Sequence, residues 1–197
     1  MSKFKMSAFS RISILSLVMM GLVACQNSTQ IVESYVDSYK ILKNRDDSND
    51  AMYLSCQAKQ GCDFERVNDV LVIDEETKRP TMEAIDKGLV RLEGSVFSIN
   101  HDYAVSLPAG DHEVAVRFYP VSLERAERFH LIHKFQAGHN YQLLMHRQRE
   151  NTGQSLLSVA TPGKLCVDLL QDQIALRRFC RDHNVMTGLG EFIEQDI

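Results

Sequence analysis

Tryptophan is absent from this 197-residue chain, and the aromatic residues together reach only 8%. A binding site built on exposed indoles is therefore excluded. Grouped positive charge is missing as well. The formal charge is -4. Residues 1–24 hold three basic side chains (Lys3, Lys5 and Arg11) and no acid, so the remainder carries 19 basic against 26 acidic groups, near -7. Such a body is a poor match for nucleic acid, because neutralising phosphates takes clustered Lys and Arg. Long apolar runs are scarce too. The one uncharged apolar run, residues 12–24 (ISILSLVMMGLVA), covers about 20 Å as a helix, short of a ~30 Å hydrocarbon core. A permanent membrane span is excluded on that count. No G-x-S-x-G elbow, H-E-x-x-H pair, C-x-x-C motif or glycine-rich phosphate loop is present. What is there, 44% hydrophobic and 24% charged, matches one globular domain of ordinary size behind a targeting segment.

The start of the chain reads as that segment. A basic stretch over residues 1–11 precedes the apolar run, in the order of a secretory signal peptide. At its end stand Leu22-Val23-Ala24-Cys25, which resemble the lipobox of bacterial lipoproteins. The resemblance implies a diacylglyceryl thioether on Cys25, cleavage before it, and acylation of the new α-amino group. It also implies membrane lipid as a partner and, with Gln26 rather than Asp at the second mature position, an outer-membrane address facing the periplasm. Two or more acyl chains make a durable anchor, each buried methylene contributing about 0.8 kcal/mol.

Setting Cys25 aside leaves Cys56, Cys62, Cys166 and Cys180. An even count in an exported chain points to disulfides. Of three possible pairings, Cys56–Cys62 with Cys166–Cys180 is preferred, since each closes a short loop. A four-thiolate zinc site is the rival, and the absence of any C-x2-C pair weighs against it.

Residues 25–55 read as a lipidated N-terminus and tether. Val32, Tyr35, Val36 and Tyr39 fit helical spacing after a Ser28 or Thr29 cap, and a polar run ends at Asp50. A disulfide-stabilised β-rich domain is expected over 56–197. Val70–Ile73 reads as a short buried strand, 75–88 as a loop with at most one helical turn, and Leu89–Ile99 as a strand broken at Gly94. Two alternating runs flank Pro108-Ala109-Gly110-Asp111 and predict a hairpin with Gly110 left-handed; residues 129–135 and 141–147 predict a second. Ser155–Ala160 and Lys164–Leu170 read as strands, Asp172–Cys180 as a possible helix, and the end as a loosely held tail. Short strands about ten residues apart give the fold class: mainly β, an antiparallel β-sandwich or barrel-like sheet with short helical segments. The segment VSLPAGDHEVAV is similar to a hairpin in small envelope β-sandwich modules of the PEGA type, which supports the fold and carries no function.

Histidine is the one suggestive residue type. His112, His130, His133, His139 and His146 lie within 35 residues. Imidazoles are common ligands for transition metals, and His112, His133 and His139 are the candidates. Period two sends His130 and His133 to opposite faces, whereas His112 and His133 meet if their strands pair. A histidine at the end of an apolar face more often bonds a backbone carbonyl, so no metal and no cofactor are expected. Glu124–Arg128 reads as an exposed turn with local ion pairs. The functional expectation is a non-catalytic envelope lipoprotein that binds another envelope protein, through sheet edges or the 75–88 and 148–154 loops. A metal-binding lipoprotein and a cell-wall or glycan enzyme without a readable motif are the alternatives.

Overall fold

The computed structural model describes residues 35–44, 50–93, 102–148, 163–182 and 190–197. Cys25 and the expected strand at 155–160 lie outside them, as do residues 149–154 of the 148–154 loop. The described chain is mainly β and forms two open sheets packed face to face, a sandwich rather than a closed barrel.

In chain order a helix, α1, over residues 35–43 precedes β1 (Ala51–Gln57), β2 (Cys62–Val67), β3 (Val70–Leu71), α2 (Met82–Asp86), β4 (Val90–Glu93) and β5 (Asp102–Pro108). Next come β6 (Gly110–Phe118), β7 (Glu127–Phe135), β8 (Asn140–Gln148), β9 (Lys164–Gln171), β10 (Ile174–Arg181) and β11 (Ile193–Gln195). The larger sheet runs β11-β10-β9-β8-β1-β5-β4 and the smaller β3-β2-β6-β7. All pairs are antiparallel except β1 with β8, which is parallel. Alternation decides the faces. Met52, Leu54, Leu143, Val167 and Phe179 from one sheet meet Phe64, Val114, Val116, Phe118 and Phe129 from the other, all buried in one core.

Neither expected hairpin forms. β5 pairs with β1 and β4, while β6 pairs with β2 and β7, so the chain crosses between sheets at Pro108-Ala109-Gly110. Gly110 does take a positive φ, 139°, but it makes a corner instead of a return. β7 and β8 likewise lie in different sheets, with the crossing at residues 136–139. Alternation plus a glycine turn specifies two strands and a change of direction; which sheet the second strand joins depends on distant partners. The possible helix at 172–180 is instead β10. It returns from β9 through Asp172 and Gln173, both left-handed (φ 49° and 72°), the backbone of a type I′ turn written without glycine. The expected loose tail contains β11, which pairs with β10, and Phe192 packs edge-on against Phe129 at 5.4 Å between centroids.

Residues 51–55, assigned to the tether from sequence, are the first part of β1, where Met52 and Leu54 are buried at the centre of the larger sheet. The helix at 35–43 also belongs to the body through buried Ile41. Its end is locked by Asn44 Nδ2 donating to the Ile85 carbonyl at 3.2 Å. Gly88 makes that approach possible: its φ is +65°, and a Cβ there would lie 2.9 Å from the Asn44 carbonyl. Both disulfides have the preferred connectivity. Cys56–Cys62 ties the end of β1 to the start of β2 across the sandwich corner, and Cys166–Cys180 joins directly opposed residues of β9 and β10, with Cα atoms 4.1 Å apart.

Candidate functional site

A dense polar constellation surrounds the turn between β3 and α2. Val72 and Ile73 are buried, and their N–H groups donate to Glu65 and Phe64 carbonyls, which pins the turn's base to β2. Asp74 closes the turn on itself: its Oδ1 accepts from the Thr77 N–H and hydroxyl, both at 2.8 Å. Those donors, the backbone N–H of Thr77 first, hold the Asp74 carboxyl below its ordinary range. Lys78 adopts φ +56°, a left-handed conformation that L side chains pay for in strain. The exposed tip is thus Glu75-Glu76-Thr77-Lys78 on a fixed backbone.

Three sets of charges clamp this turn. Arg79 Nε donates to Asp37 of α1 at 2.9 Å. Lys78 Nζ donates to the Tyr119 hydroxyl at 2.6 Å, and that hydroxyl donates to Asp63 Oδ2 at 2.8 Å. Beneath them Arg117 on β6 is only 1% exposed. It gives one N–H to the Ile73 carbonyl at 2.7 Å and stands 3.5 Å from Glu75. Its Nε lies 3.9 Å from Glu65 and has no hydrogen-bond partner among the described residues. Arg128 bridges the same two acids, Glu65 at 3.0 Å and Glu75 at 2.8 Å. Sheet register explains the assembly, because Asp63, Arg117 and Arg128 are opposed across β2, β6 and β7. The Cys56–Cys62 loop braces it further: Tyr119 and Gly61 exchange a backbone bond at 3.0 Å, as do Gln60 and Tyr119.

A cavity of about 230 Å³ opens between the turn and the β6–β7 connection, lined by Glu75, Lys78, Tyr119, Leu123, Glu124, Ala126 and Arg128. Burial alone would favour the neutral amine of Lys78, but the Tyr119 oxygen and Asp63 outweigh it and hold the ammonium more firmly than usual. Burial pushes the Tyr119 phenol up, with Asp63 adding to the effect. Both groups are fixed in their neutral-pH forms, cation and phenol. Proton abstraction and nucleophilic attack need the opposite shifts. The groove therefore presents permanent charges of both signs around one apolar edge.

The five histidines among the described residues do not gather in one place. His112 and His133 do face each other across β6 and β7. His112 spends both ring nitrogens on Asn68 (3.1 Å) and the Pro108 carbonyl (2.8 Å). His133 packs edge-on to Phe135 at 4.8 Å and Tyr141 at 5.9 Å. Burial, aided by Arg177, lowers its pKa. His139 Nδ1 pairs with Asp172 at 2.6 Å, and His146 Nε2 with Asp168 at 3.1 Å. His130 is exposed on the face opposite His133, as its parity requires. Among the described residues no three His, Cys, Asp or Glu side chains converge as a metal site. Comparison with protein-family models, curated proteins and solved structures finds no match.

Asp63, Lys78, Arg117 and Tyr119 were not singled out by sequence. Period two puts Arg117 with Glu113 and Ala115 on the face opposite Val114, Val116 and Phe118, so nothing marked it; its burial depends on a turn folded over that outer face of the sheet. The 124–128 run makes long-range bonds in place of the expected local ones: Glu127 pairs with Arg181 at 2.8 Å and Arg128 with Glu65 and Glu75.

Proposed function

We propose that this chain is a bacterial outer-membrane lipoprotein, held by acyl chains on Cys25. Its disulfide-bridged sandwich faces the periplasm and serves as a non-catalytic binding or assembly module for another envelope protein. The observation that carries the reading is Leu22-Val23-Ala24-Cys25 directly after an uncharged apolar run of signal-peptide length. Two disulfides in a body of this size suit an oxidising compartment. The contact surface is the turn at 74–78 with its groove: an exposed tip on a clamped backbone loses little freedom when bound, and its mixed fixed charges select a partner of complementary pattern.

The test has two arms in a Gram-negative host. An alkyne analogue of palmitate should label the wild type and fail to label Cys25→Ser, which should leave the membrane fraction. A photo-crosslinking residue at Glu76 should capture an envelope protein, and Lys78→Glu should abolish the adduct. Unchanged membrane fractionation of Cys25→Ser, or an adduct indifferent to Lys78→Glu, would contradict the reading.

A further inference from the structure

Helix α1 is amphipathic the wrong way round. The residues it turns toward the body are Asp37, Ser38 and Ile41, with relative exposures of 6%, 2% and 3%. The residues it turns to solvent include Tyr35, Val36, Tyr39 and Leu42, at 60%, 42%, 63% and 48%. At about 100° per residue these four fall within an arc of roughly 120°, a stripe of the width normally reserved for a core contact. Asp37 is bonded to Arg79, Asn44 to the Ile85 carbonyl, and Ile41 packs in the core, while among the described residues the broader apolar face has no cover.

We infer that this face is seated in the interface of the bilayer that carries the acyl anchor, an inference that rests on the lipoprotein reading above. Three observations select lipid as the occupant. Nine residues separate Cys25 from Tyr35, so whatever their conformation the helix stays within about 35 Å of the anchor. That leash supplies a high effective concentration of membrane surface. Two of the four exposed residues are tyrosines, whose apolar ring and polar tip suit the headgroup boundary. Lys43 lies inside the arc and is exposed, placed to reach anionic headgroups while its stem stays with the apolar side chains; Lys40, at the margin, turns back to Met82 Sδ at 3.6 Å. Because α1 is bonded to Arg79, one residue beyond Lys78, seating it would also fix the groove close to the membrane.

The absence of Trp makes a direct test available. Tyr39→Trp and Tyr35→Trp each introduce a single indole into the acylated protein, reconstituted in phosphatidylethanolamine–phosphatidylglycerol vesicles with brominated acyl chains. Ile132→Trp, at a position 69% exposed on β7, is the control. The expected result is blue-shifted emission that brominated lipid quenches for both helix variants, and solvent-like, unquenched emission for the control. Solvent-like emission from the helix variants in protein that still floats with vesicles would overturn the inference and leave the anchor standing. A blue shift without lipid quenching would also overturn it, assigning the face to another copy or another protein. Protein that fails to float would remove the anchor and this inference together.

Discussion

Removing the Arg117 side chain would leave Glu65 and Glu75 with only Arg128 between them, over a space the guanidinium had filled. The Ile73 carbonyl would also lose its charged donor and the vacated volume would remain a cavity, so Arg117→Ala should lower unfolding stability by roughly 2–3 kcal/mol in urea titrations. Acid should destabilise the protein through two groups acting in the same direction. Burial and Arg177 lower the His133 pKa below its ordinary 6.5. The unfolded chain then binds that proton first, and stability is lost as pH falls below 6.5. Asp168 is opposed by its own burial but is held below 3.8 by Arg178 and His146, so its contribution disappears at lower pH still. Thermal melts of His133→Gln should show a flatter dependence just below pH 6.5 and leave the more acidic limb intact. An unchanged profile would remove His133 from this role. At this scale the sequence was readable where period two suffices, as in the opposed faces of His130 and His133. It was not readable at Arg117, whose surroundings come from a turn forty residues away.

Strands were legible and their partners were not. Tyr103, Val105 and Leu107, like Val114, Val116 and Phe118, announce alternation, yet the same pattern serves a hairpin or a corner; long-range pairing with β1 and β7 decides. β10 was obscured because its turn uses Asp172 and Gln173 where glycine is the usual signal. Both disulfides close the short loops that the sequence predicts, because adjacent elements bring each pair of cysteines together. Double substitution Cys56→Ala with Cys62→Ala should cost about 2–3 kcal/mol on the loop-closure model. It should also loosen the Tyr119–Gly61 bracing, visible as faster amide exchange at residues 60–63. Gly88→Ala forces a Cβ to within 2.9 Å of the Asn44 carbonyl at φ +65°. A loss of about 1–2 kcal/mol is expected, together with faster amide exchange in α1; protection of α1 equal to the wild type would show that the helix is not held there.

At the scale of the whole molecule, the folded body begins earlier than hydropathy suggests, because α1 and β1 are part of it. Nine residues separate Cys25 from the start of α1, so the proposed anchor would lie close in sequence to the helix that is bonded to Arg79, next to the 74–78 turn. If the proposed anchoring at Cys25 holds, the body has little reach of its own, and an envelope partner would have to meet it along the membrane. The proposed role therefore rests on the chemistry of one residue, Cys25. Intact mass and fragment spectra of the protein isolated from its native envelope should give a mature chain beginning at Cys25, carrying a diacylglyceryl group on sulfur and an acyl group on nitrogen. A chain that retains residues 1–24, or a Cys25 with an unmodified thiol, would contradict it.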